Sequence, residues 1–128
     1  NDFPGEFSIL SSEGDVILAE KKTDKNSIFG IPSRRPLYFF EKNELCQVYI
    51  KYDSEQFFDL IVSYLSLIID GKYIPIDSED ISNVDPRPIL AYWALTKFSL
   101  IQVYFNMDGY GTVTISSSKY LIDKMHKQ

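Results

Sequence analysis

Residues 100–116 alternate apolar and polar side chains on either side of Asp108-Gly109, and this pattern admits very few folds. A two-residue turn at Asp108-Gly109 would place Val113 and Ile115 on the side of Gln102 and Tyr104. A three-residue loop, Met107-Asp108-Gly109, puts Gly109 where a positive φ is needed. It pairs Ile101 with Ile115 and Val103 with Val113 on one face. Gln102 then meets Thr114, and Tyr104 meets Thr112, on the other. One residue of slip exchanges the faces, so the clean segregation selects the three-residue loop.

Other segments read in the same way. Phe7-Ser8-Ile9-Leu10 and Val16-Ile17-Leu18-Ala19 are strands across the polar turn 11–15. Residues 20–36, rich in Lys, Ser, Gly and Pro, form a surface loop pinned by Ile28, Phe29 and Ile31. A second hairpin turns at Lys42-Asn43. Regular pairing there puts Leu37, Phe39, Cys46, Val48 and Ile50 on one face, and Tyr38, Phe40, Leu45, Gln47 and Tyr49 on the other.

Residues 53–70 carry helical spacing, with Phe57, Leu60, Ile61, Tyr64, Leu65 and Ile68 expected on the buried face. Asp53 and Gln56 make a capping box, and Gly71 a stop. Tyr73-Ile74-Pro75-Ile76 is short and extended. Asp85-Pro86 resembles a helix cap with proline in the first turn, which predicts a second helix over 89–97 with Trp93 inward. A last helix is expected from Ser117 or Ser118, with Tyr120, Leu121, Lys124 and Met125 at helical spacing. The expected fold is α+β: one domain over residues 1–128, a mostly antiparallel sheet built from hairpins and packed with two or three helices.

Composition agrees with a folded domain. The chain has 128 residues, 45% of them hydrophobic, and its nine Phe and nine Tyr supply ample apolar area. No stretch approaches the ~18–20 apolar residues of a membrane span. The start, Asn1 to Glu6, lacks the basic and apolar runs of a secretion signal, although a leader removed before Asn1 would leave no trace. Cys46 is the single cysteine, so no intrachain disulfide forms, and a small buried hydrophobe is its expected role. These features predict a cytoplasmic protein.

Familiar chemistry is missing. His126 is the single histidine and lies two residues from the end, a poor place for a catalytic base. One Cys and one His rule out the usual zinc sites. Asp77, Glu79, Asp80 and Asp85 do not follow a calcium loop: Ile81, Ser82 and Pro88 stand at key positions. Asp108-Gly109-Tyr110-Gly111 lacks the Lys-Ser/Thr of a phosphate loop, and the hairpin accounts for it. The expectation is a non-enzyme without metal or cofactor.

Charge is uneven. Residues 44–85 hold nine acidic and two basic side chains, a balance of −7, and the remainder carries +2 within a total of −5. The one basic cluster, Lys21, Lys22, Lys25, Arg34 and Arg35 with Phe29 among them, could touch single-stranded nucleic acid, but Glu20 and Asp24 dilute it in an acidic domain. An acidic surface with Tyr anchors suits a cationic protein partner. The candidate contact residues are Asp70, Tyr73, Asp77, Glu79, Asp80, Asp85 and Tyr110, and the hairpin face of Tyr104, Thr112 and Thr114 is a second candidate surface. The alternative is a small-ligand or nucleic-acid module using the sheet face.

In size and charge, with Asp70, Asp77, Glu79, Asp80 and Asp85 as its acidic stretch, the whole chain resembles bacterial immunity proteins, including those of contact-dependent growth inhibition. That resemblance implies a small cytoplasmic protein that binds a toxin domain, often a basic nuclease, and occludes it. Carboxylates would pair with the toxin's cations, and aromatic contacts would hold the complex.

Overall fold

The computed structural model describes residues 6–69 and 72–117. Its chain order is β1 (Phe7–Glu13), β2 (Val16–Lys21), β3 (Ser27–Ile28), β4 (Ile31–Pro32), β5 (Leu37–Glu41), β6 (Glu44–Tyr52), α1 (Glu55–Ile68), β7 (Lys72–Ile74), α2 (Ser78–Ile81), β8 (Pro88–Leu95), β9 (Ser99–Asn106) and β10 (Gly111–Ser117). Eight strands form one antiparallel sheet in the order β1-β2-β5-β6-β10-β9-β8-β7, and β3-β4 is a small separate ribbon.

The expected α+β balance is overturned, because the described chain is mostly antiparallel sheet with one full helix and one four-residue helical turn. Residues 89–97, expected as helix, are largely strand β8, paired with β7 on one side and β9 on the other. Asp85-Pro86 is a cis peptide ahead of that strand and caps no helix. The run Ile89-Leu90-Ala91-Tyr92-Trp93-Ala94-Leu95 is apolar on both alternating sides, so its periodicity does not separate strand from helix. Its aromatics and its place between two strands decide for the sheet. The helix expected after Ser117 or Ser118, and Gly71, lie outside the described residues.

The last hairpin has the expected register. Val113 pairs with Val103, Ile115 with Ile101, Thr112 with Tyr104 and Thr114 with Gln102. Asn106 N–H donates to the Tyr110 carbonyl at 2.8 Å, which closes the three-residue loop, and Gly109 has φ +89°. The other large hairpin is corrected by one residue. Lys42 and Asn43 form the turn, both at positive φ, but the register shifts between Phe39, paired with Gln47, and Phe40, paired with Leu45; Cys46 is the extra residue of β6, and its Sγ donates to the Phe39 carbonyl at 3.2 Å. This bulge puts Tyr38 and Phe40 on the face of Val48 and Ile50, and Leu37 and Phe39 on the face of Gln47 and Tyr49.

One face of the sheet thus collects Ile50, Tyr52, Ile101, Val103, Phe105 and Val113, and α1 lies over it with Phe58, Ile61 and Leu65 inward. Ile28 and Ile31 of the β3-β4 ribbon close the same core. Tyr52 is its keystone. The ring lies over Gly111, where an added methyl would fall inside it, and its hydroxyl donates to the Tyr104 carbonyl at 2.6 Å. Burial and the nearby Asp59 carboxylate push the Tyr52 hydroxyl above its ordinary pKa. The opposite face bears no extensively packed element among the described residues.

Candidate functional site

The helix itself supplies the first candidate. Nine of the fourteen residues of α1 are apolar or Tyr: Phe57, Phe58, Leu60, Ile61, Val62, Tyr64, Leu65, Leu67 and Ile68. At about 100° per residue these spread over roughly 220° of the helix, far more than one sheet face can cover. The core takes Phe58, Ile61 and Leu65 fully, and Phe57 and Val62 in part. Leu60, Tyr64 and Ile68, expected in the buried set, are instead exposed, Leu60 and Ile68 at 54%. Leu67 beside them is 85% exposed.

A second element extends this stripe. Phe29, in the turn between β3 and β4, stacks on Tyr64 with ring centroids 4.3 Å apart. Its φ of +53° is a left-handed conformation that bulky side chains avoid, at a cost of about 1 kcal/mol or more. The ring is thereby spent on the surface and not on the core.

The charged residues of segment 53–68 are all acidic. Asp53, Glu55 and Asp59 are exposed, and residues 53–68 contain no Lys or Arg. The helix begins one residue later than expected, with Ser54 as its N-cap and no side-chain capping bond, so Asp53 is not consumed as a cap.

Other expected contact residues are dispersed. Asp77, Glu79 and Asp80 are exposed at α2, where the Asp80 carboxylate accepts from the Asp77 N–H at 2.8 Å and is thus partly spent on the turn. Asp85 is exposed in the bend before β8. Asp70 lies outside the described residues. Tyr73 is exposed on β7 and shares the helix-bearing face, with its ring 5.7 Å from that of Tyr92. Among the described residues, no group of three or more carboxylate, His or Cys side chains could hold a metal ion.

The remaining residues sit on the open face. Tyr104 is only 7% exposed, so its ring is no protruding anchor. Its hydroxyl accepts from Trp93 Nε1 at 2.9 Å and from Gln102 Nε2 at 3.3 Å, and burial raises its pKa. Thr112 and Thr114 lie half-buried beside it. Tyr110 lies under two cations, Lys51 Nζ at 4.2 Å and the Arg34 guanidinium at 5.5 Å from the ring centroid. Next to them is a cleft of about 210 Å³ lined by Glu20, Arg34, Arg35, Leu37, Tyr49 and Lys51. The basic cluster of the sequence therefore reaches the sheet through Arg34 and Arg35, joined there by Lys51, which sequence spacing did not link to them.

Comparison with protein-family models, with curated proteins and with solved structures finds no match. No helix among the described residues is long and apolar enough to cross a membrane.

Proposed function

We propose that this chain is a protein-binding domain whose partner presents a cationic surface, and that it acts as immunity proteins do, by occluding a toxin domain. The observation that supports this reading is the α1 stripe: Leu60, Tyr64, Leu67 and Ile68, with Phe29 stacked at its side, outside the core and on a helix whose charged residues, Glu55 and Asp59, are both carboxylates. Apolar and aromatic side chains at the centre of a contact supply its affinity, and a charged border sets approach and orientation. The carboxylates at α2 enlarge the negative field but are not the anchor. In this reading the chain inhibits by covering its partner and performs no chemistry of its own.

The test is calorimetric titration of the chain with the product of the neighbouring reading frame, at low and moderate salt. The expected result is a one-to-one complex that weakens with salt and loses at least tenfold in affinity with Tyr64→Ala. A complex indifferent to that substitution would remove α1 from the interface. Self-association of the chain through the same stripe, seen by sedimentation, would replace the cationic partner with a second copy.

A further inference from the structure

The geometry points to a second site, independent of the α1 stripe and on the opposite side of the sheet: the open-face cleft takes a small phosphate monoester with a compact apolar body. Arg34, Arg35 and Lys51 bring three positive charges to the cleft and Glu20 one negative charge, a net +2 among the lining residues. A phosphate monoester carries about −1.5 to −2 at neutral pH, which matches this balance better than a carboxylate does. The volume of about 210 Å³ fits such a molecule, and not a polymer. A nucleic acid would also meet the net −5 of the whole chain.

The cations are held in place without being used up. Arg34 is fixed through its backbone, whose N–H donates to the Lys51 carbonyl at 2.8 Å. Tyr110 attracts both side-chain cations with its ring face, a contact that pairs neither the Arg34 guanidinium nor the Lys51 ammonium with a carboxylate. Arg35 meets Glu20 at 4.0 Å, with both side chains partly exposed, a contact a phosphate can displace. A guanidinium offers paired donors matched to two phosphate oxygens, and Lys51 adds a point charge. Leu37 and Tyr49 supply the apolar wall for the rest of the ligand. Tyr49 lies between charges of both signs. Burial raises its pKa, Asp108 raises it further, and Arg34 pulls it back.

The experiment is a titration of the whole chain with phenyl phosphate, followed by NMR and calorimetry, with inorganic phosphate and phenol as parallel probes. Saturable binding of phenyl phosphate is expected, stronger than that of inorganic phosphate and absent for phenol. Affinity should rise between pH 5 and pH 7 as the ester loses its second proton near a pKa of about 6. Arg34→Gln and Lys51→Gln, each checked for an unchanged melting curve, should each weaken binding about tenfold. Glu20→Gln should strengthen it. Failure of phenyl phosphate to saturate the folded chain overturns the proposal, as does binding by the Lys51→Gln and Arg34→Gln variants as tight as that of the parent chain. Inorganic phosphate binding as tightly as phenyl phosphate would overturn the assignment of an apolar body.

Discussion

The inner and outer sides of α1 are close in chemistry: Phe58, Ile61 and Leu65 on one, Leu60, Tyr64, Leu67 and Ile68 on the other. Their surroundings differ completely. Ile61 and Leu65 are almost fully enclosed by strands and the β3-β4 ribbon, whereas Leu67 is 85% exposed. Hydrophobicity alone therefore does not determine which side becomes core. The sheet offers one apolar face of limited width, set by Ile50, Val103 and Val113, and the helix brings more apolar arc than that face can cover. The surplus stays outside, where it is a liability unless something covers it. In the proposed reading, these large side chains serve binding and not folding.

That contrast can be broken or sharpened by substitution. The largest effect is expected at Gly111. Alanine there would drive a methyl into the Tyr52 ring, and the loss should be about 3 kcal/mol or enough to prevent folding, read from urea or thermal unfolding. Ile61→Ala, which opens a cavity between α1 and the sheet, should cost about 2–5 kcal/mol by the same measurement.

Tyr52→Phe should cost about 1 kcal/mol, since it removes the bond to the Tyr104 carbonyl. It also carries a pH signature. The Tyr52 pKa is raised in the folded state, by burial first and by Asp59 second, above the ordinary value of 10.0 in an unfolded chain. The folded state therefore holds its proton longer. The stability linked to this group is complete below pH 10 and is lost as pH climbs above it. Unfolding curves at pH 9 and pH 11 should show a smaller loss in Tyr52→Phe than in the parent chain. The smallest effect belongs to the outer stripe: Leu60→Ala should change stability by no more than about 0.5 kcal/mol. A loss of several kcal/mol at Leu60 would show that the outer stripe is core after all.

Much of this architecture was legible in the sequence where alternation was clean. The 101–115 hairpin could be registered to the residue, because one slip would have placed Val113 and Ile115 among polar neighbours. The β5-β6 hairpin was readable at its Lys42-Asn43 turn but not beyond it. Nothing in Leu45-Cys46-Gln47 announces that Cys46 is the extra residue, and this bulge reverses the faces of β5. Residues 89–97 failed for the opposite reason: an apolar run without contrast satisfies both periods, and Asp85-Pro86 imitated a helix start.

The candidate surface was harder to read than the fold. Counting Leu60, Tyr64 and Ile68 as buried followed helical spacing, but the arc of roughly 220° could have warned that one sheet face would not suffice. Phe29 gave no signal, since its stacking on Tyr64 depends on a left-handed turn in a segment without period. The acidic residues were visible in the sequence, yet their positions around the sheet were not. Arg34 and Lys51 meet over Tyr110 only because β6, the end of the β4-β5 connection and the last hairpin converge there.

The central claim is that the outer stripe of α1 serves a partner and contributes nothing to the fold. Leu67→Asp tests it most directly, with thermal unfolding and titration against the cationic partner run on the same sample. The predicted result is an unchanged melting temperature together with at least tenfold weaker association. A cooperative loss of structure on that substitution, or full affinity retained with an aspartate in the stripe, would contradict it.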